Sequence, residues 1–273
     1  MDMTLADDGV QGELEEDRFV GGRDLTRWHH RAAWFLVDAV QRVSTKLGPQ
    51  GALILTLIIG AVLATGLTLI FANLYEAVTQ ADGVAAVDHP VLEAAKGARS
   101  PVLDVIVTAY TDVGGGIGMS VLAVIAIAVL GLKRKSWTPV ILIAVAGAGS
   151  VLMINVGKQL IGRSRPPLSD AIPPFEYSAA FPSGHALGSV VVAGIVAYLI
   201  MLRRKTARGR LWTAAIATAF AATMGLSRVY LGHHWLTEVL GAWALGLAWL
   251  VLVITAHRIY LTVRERRAAN ISP

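Results

Sequence analysis

Residues 113–132, VGGGIGMSVLAVIAIAVLGL, run without a charged side chain until the basic triplet Lys133-Arg134-Lys135. A helix rises about 1.5 Å per residue, so a run of this length crosses roughly the 30 Å of a bilayer's hydrocarbon core. Comparable uncharged runs lie at 51–74, 136–157, 186–202, 211–227 and 239–256. The predicted fold is all-α, a polytopic membrane protein with six transmembrane helices. Composition agrees: 55% of the 273 residues are hydrophobic and the mean hydropathy is +0.58, too apolar for a soluble domain of this size.

The placement of charge orients the spans. Most of the 24 Lys and Arg residues lie in the N-terminal segment, the 133–135 and 203–210 links and the C-terminal tail. Those elsewhere are Lys96, Arg99, Lys158, Arg163, Arg165 and Arg228. Basic connections stay cytoplasmic, so both termini are expected there and the remaining cations on the extracytoplasmic face. The pI near 9.7 therefore reports membrane orientation rather than nucleic-acid binding. The first 24 residues are polar and acidic, so no cleavable signal peptide is expected and the first span is an uncleaved anchor. Cysteine is absent, which removes disulfides and thiolate metal sites.

Four segments are expected. Residues 1–22 form a disordered acidic tail. Residues 23–46 form a cytoplasmic interfacial amphipathic helix, with Leu25, Trp28, Ala32, Phe35, Leu36, Ala39 and Val43 at helical spacing. Residues 47–260 form the six-span unit, with 75–112 broken by Pro90 and Pro101 into short helices of an extracytoplasmic cap. Residues 261–273 are a basic cytoplasmic tail. The glycine-rich 112–118 stretch lacks the lysine and strand-to-helix setting of a nucleotide loop and reads as close packing at a helix start. Segment 163–182 is too rich in proline to be helical throughout.

The polar residues of the extracytoplasmic face cluster in three places. Lys158 and Arg165 are seven apart, close to two helical turns, and supply a point charge and a planar fork for phosphate oxygens. Ser183, Gly184 and His185 stand where the proline-rich loop enters the fourth span, and the free N–H groups of a first helical turn attract anions. Arg228 ends the fifth span, and His233 and His234 lead into the sixth. His234 and Glu238 are four apart, so a carboxylate can hold one imidazole nitrogen and fix its tautomer. His233 points about 100° away and lacks such a partner. His234 is the expected base or nucleophile, and two histidines allow attack on phosphorus and protonation of the leaving oxygen.

The order Lys158, then Arg165-Pro166, then Pro182-Ser183-Gly184-His185, then Ser227-Arg228 with His234 five residues further on resembles the three-part signature of the type 2 phosphatidic acid phosphatase family. The resemblance implies a six-helix integral-membrane lipid phosphatase with His234 as a nucleophile forming a phosphohistidine and His185 as the acid. Lys158, Arg165, Ser183, the Gly184 backbone and Arg228 would bind the phosphoryl oxygens. Where the family pattern has aspartate, this chain has Glu238, whose longer side chain must fold back to orient His234. The implied substrate is a lipid phosphomonoester or pyrophosphate at the outer leaflet: phosphatidic acid, phosphatidylglycerophosphate or a polyprenyl pyrophosphate. The implied setting is a bacterial inner (plasma) membrane.

No cofactor is expected. A metal site would need converging carboxylates, whereas Asp170, Glu176 and Glu238 lie among an excess of cations that repel a metal ion. Two rival readings use the same residues: a lipid phosphotransferase sharing the phosphohistidine, and a non-catalytic lipid-phosphate transporter. Phe175, Tyr177 and Phe181 are candidates to line the lipid's path, although interfacial aromatics are also anchors.

Overall fold

The computed structural model describes residues 17–28, 34, 37–40, 42, 59–60, 62–71, 73 and 84–271, with side chains to 265. A two-stranded antiparallel hairpin, β1 (Phe19–Val20) and β2 (Arg23–Asp24), comes first. The helices are α1 (Val62–Phe71), α2 (Asp88–Gly97), α3 (Pro101–Val113), α4 (Gly116–Arg134), α5 (Thr138–Leu160), α6 (Gly184–Leu202), α7 (Ala207–Tyr230) and α8 (Leu236–Ile271).

Among the described residues four helices are long and apolar enough to cross a membrane: α4, α5, α6 and the Leu236–Glu265 part of α8. Each covers one predicted apolar run. The run at 211–227 lies within α7, which is long enough but less apolar, because it opens on Ala207-Arg208-Gly209-Arg210 and carries Arg228 near its end. The run at 51–74 is represented by the shorter apolar helix α1, and its residues 51–58 fall outside the described set.

Helix α6 forms the centre of the bundle, against α5, α7 and α8. Its Leu187, Val191, Ile195 and Leu199, four residues apart on one face, are fully buried. They meet Ile143, Ala146 and Met153 of α5 and Val239, Ala242, Leu245 and Trp249 of α8 in one core. Gly149 permits this closeness, because a Cβ there would lie 2.2 Å from the Trp249 ring. The Trp249 indole in turn donates to the Ala146 carbonyl at 3.1 Å. At the periphery α4 turns Ile117, Val121, Val124, Ile125 and Leu132 outward. An apolar surface this continuous belongs against lipid.

The predicted cap is helical where it is described, with 75–83 outside the described residues. Pro101 is the first residue of α3, where Ser100 caps the helix, and Pro90 lies in the first turn of α2, where no intrahelical donor is lost. The Arg99 guanidinium donates to the Tyr230 carbonyl at 3.0 and 2.7 Å, and the Tyr230 hydroxyl donates to Asp104 at 2.6 Å. These bonds fasten the cap to the end of α7 that bears Arg228.

The N-terminal boundaries differ from expectation. Phe19 and Val20 pair with Arg23 and Asp24 through a Gly21-Gly22 turn, so order begins before residue 23 and no helix starts there. Helical residues lie at 34, 37–40 and 42, and residues 1–16 fall outside the described set. Buried charge explains the anchoring. Asp17 pairs with Arg134 and Arg203 at 3.2 and 3.1 Å, and the Trp28 indole donates to Thr262 at 3.0 Å.

Candidate active site

The sequence expects Lys158 and Arg165 to share a helix face. Instead α5 ends at Leu160 and Arg165 lies on the loop beyond it. The two cations still converge, because Ser178 on the returning loop bonds both: Lys158 Nζ donates to its hydroxyl at 2.7 Å, and Arg165 to its carbonyl at 2.8 Å and its hydroxyl at 3.1 Å. A proline-rich loop without helical hydrogen bonds leaves its carbonyls free for such contacts.

Arg165 then reaches the histidine pair. One of its terminal nitrogens donates to the His233 carbonyl at 2.7 Å and lies 3.2 Å from His234 Nε2. An arginine N–H can only donate, so His234 Nε2 presents its lone pair and the ring proton sits on Nδ1. That proton is taken by Glu238 Oε2 at 2.9 Å. Burial, then Arg165 and Arg228, holds the His234 pKa well below the ordinary histidine value, which keeps the ring neutral at pH 7.

The geometry of Glu238 differs from a simple pair on one helix face. His234 precedes α8, while Glu238 is its third residue. The carboxylate folds back to accept the Trp235 N–H at 3.2 Å. That is the glutamate half of a capping box, a position where the longer acid fits. The start of α8 is further held by Asp88 of α2, which accepts from the Thr237 N–H at 2.9 Å and hydroxyl at 2.7 Å. Arg163 links the two acids, 2.8 Å from Asp88 and 3.7 Å from Glu238.

Gly232 makes the turn that delivers both histidines. Its φ is +72° and a Cβ would stand 2.3 Å from the Asp170 carbonyl oxygen, so a side chain is excluded on both counts. His233 turns the other way and bonds the Ile172 carbonyl through Nε2 at 2.7 Å, pinning the loop.

Arg228 is almost fully buried. It donates to Thr111 Oγ1 at 3.1 Å and pairs with Glu176, whose other oxygen is 2.8 Å from Arg165. Ser183 stands at the N-cap of α6 without capping it, and its buried hydroxyl has no hydrogen-bond partner among the described residues. Gly184 opens α6 and His185 follows.

A cavity of about 620 Å³ completes the site. Its walls include Thr111, Gly115, Gly118, Phe175, Glu176, His185, Arg228 and His233. The glycine stretch read as packing at a helix start does begin α4, and it also forms one wall of this cavity. His185 and Arg228 face it. Lys158, Arg165, Ser183, Gly184 and His234 are not among its lining residues; Ser178 joins Lys158 to Arg165, which touches His234 and, through Glu176 on the cavity wall, is linked to Arg228. Of the aromatic candidates Phe175 lines the cavity, Tyr177 is exposed and Phe181 is buried.

Sequence reasoning missed the bridging roles of Ser178, Glu176, Arg163, Asp88 and Thr111. Glu176 and Arg163 carried a signal, as an acid and one of the cations expected on the outer face. The others need the tertiary contacts.

The geometry can be set beside known proteins. Phosphatidylglycerophosphatase B of Bacillus subtilis (strain 168) is 31% identical over 185 residues, 67% of this chain and 90% of that protein. A transmembrane PAP2 type phosphatidylglycerolphosphate phosphatase from Bacillus subtilis aligns with TM-score 0.62 at 31% identity over 70% of this chain and 93% of that one. The structure of Aquifex aeolicus LpxE, 20% identical, aligns with TM-score 0.50 over 62% of this chain and 94% of that one, a likeness of fold. The sequence profile of the PAP2 superfamily matches residues 137–260, which span every signature residue from Lys158 to Glu238. The chain is an integral membrane protein and a member of the PAP2 superfamily, the type 2 phosphatidic acid phosphatases.

Proposed function

We propose that the protein hydrolyses a lipid phosphate at the extracytoplasmic leaflet through a phosphohistidine on His234. The observation that carries this is the His234 ring, with Nδ1–H on Glu238 and the Nε2 lone pair beside Arg165. Nε2 attacks phosphorus, the bond from phosphorus to the leaving oxygen breaks, and His185 donates the proton that oxygen needs. Water then attacks the phosphohistidine, His185 accepts its proton, and inorganic phosphate leaves with His234 restored. Lys158, Arg165, Arg228, the free Ser183 hydroxyl and the Gly184 N–H hold the phosphoryl oxygens as charge builds on them.

These cations supply the charge stabilisation a metal ion would give, so turnover is expected to be independent of metal. The likeness to phosphatidylglycerophosphatase B supports phosphatidylglycerophosphate as the first substrate to try, before phosphatidic acid and polyprenyl pyrophosphate. The basic links support six spans within 47–260, α1 and α7 included, with both termini cytoplasmic in a bacterial inner membrane.

The test is phosphate release from these three lipids in detergent, with and without EDTA, by the parent and by His234→Ala. We expect turnover of at least one lipid by the parent, unchanged in EDTA, and its loss in the variant. Equal rates for parent and variant would overturn the nucleophile assignment, and loss in EDTA with recovery on adding Mg²⁺ or Zn²⁺ would overturn metal independence.

A further inference from the structure

We infer that Glu176 sets the affinity threshold of the phosphoryl site, its carboxylate occupying the anion position between Arg165 and Arg228 until a phosphate group displaces it. The inference rests on the phosphate-binding reading of those arginines. Each oxygen of Glu176 is taken by a different guanidinium: Oε2 lies 2.8 Å from an Arg165 terminal nitrogen, and Oε1 pairs with Arg228. Among the described residues these two arginines are its ion-pair partners. A carboxylate and a phosphoryl group present the same paired oxygens to arginine forks, so the two compete for the same N–H groups.

The contacts left to the arginines fit an exchange. Among the described residues the Arg228 side chain otherwise bonds only Thr111, through one nitrogen, and its buried Nε has no partner. Arg165 is held independently by Ser178 and the His233 carbonyl, so it stays in place when Glu176 leaves. Burial raises the Glu176 pKa, but the groups around it, Arg228 and Arg165 foremost, together bring it below the ordinary carboxylate value, so the competitor is charged at pH 7. Glu176 lines the cavity on a loop, with its side chain 30% exposed, and has space to swing out.

Displacement costs the same for every ligand and therefore acts as a threshold. A phosphomonoester brings two charges and three unshielded oxygens to the cations. A phosphodiester, the headgroup linkage of bulk bilayer lipids, brings one charge and two such oxygens. With Glu176 in place the abundant diesters fail to displace it, and the rarer monoesters succeed. The residue thereby keeps the site from being filled by the membrane that surrounds it.

Phosphate affinity is read as the rise in Tm of the purified full-length protein with inorganic phosphate and, separately, with dimethyl phosphate. In Glu176→Gln we expect the Kd for inorganic phosphate to fall at least tenfold, and dimethyl phosphate to stabilise the variant at concentrations without effect on the parent. Glu176→Asp, too short to span both arginines, is expected to fall between, and decides the matter if the glutamine variant does not fold. Unchanged or weaker phosphate binding in the folded variants would overturn the inference, because a residue that helps to bind substrate gives that sign. The measurement needs no turnover, so it succeeds or fails separately from the phosphohistidine mechanism.

Discussion

Glu238→Gln tests the orienting role of the carboxylate without changing its length. In the parent, Oε2 accepts from both His234 Nδ1 and the Trp235 N–H, at 2.9 and 3.2 Å, in a site with no solvent exposure. When Nε2 bonds to phosphorus, positive charge develops on the ring, and the nearest acceptor to the Nδ1 proton is this carboxylate. Glutamine preserves the two bonds in shape but contributes no charge. A hydrogen bond to a charged partner is worth about 1.5–3 kcal/mol, so kcat should fall roughly ten- to 150-fold. KM should change little, because among the described residues Glu238 makes no hydrogen bond to Lys158, Arg165, Ser183 or Arg228. The assay is initial-rate phosphate release at pH 7 over a range of substrate, beside thermal unfolding of both proteins. A variant with kcat within threefold of the parent and an unchanged Tm would refute the reasoning and leave Glu238 as a helix cap.

Two further outcomes are expected. His234 is kept neutral by burial and by Arg165 and Arg228. A lowered pKa means the reactive form persists below pH 6.5 and is lost only as the pH falls through that lowered value. Arg165→Gln removes one cause, so the acid limb of its kcat/KM profile should move to higher pH; an unmoved limb, with chemistry limiting the rate, would contradict the assignment. Gly232→Ala places a side chain at φ +72°, 2.3 Å from the Asp170 carbonyl oxygen. The left-handed conformation alone costs about 1–2 kcal/mol, so Tm and turnover should both drop, whereas a parent-like Tm would show that the turn can relax.

Much of the bundle was legible because apolar runs need no partner to be recognised. Runs 113–132, 136–157, 186–202 and 239–256 each became a helix able to span a bilayer, with ends shifted by a few residues. The N-terminal helix expected from residue 23 was less legible, because its apolar spacing says nothing of the buried Asp17 that pairs with Arg134 and Arg203. At the site, spacing selected His234 over His233. It did so through a four-residue separation on a helix, whereas His234 in fact lies before α8 and the contact arises from Glu238 folding back.

The sequence by itself determined that this chain enters a membrane, which family it belongs to and which cations and histidines make up the family signature. Hydrophobicity and motif spacing are properties of the linear chain, and they survive without knowledge of any contact. Only the tertiary structure decided that Ser178 gathers Lys158 and Arg165, that Asp88 and Arg163 brace the turn bearing His234 and Glu238, and that Glu176 lies between Arg165 and Arg228. The physical reason is that these bonds join residues many positions apart, through loops whose paths are set by packing and by the hydrogen bonds their carbonyls find rather than by any local periodicity.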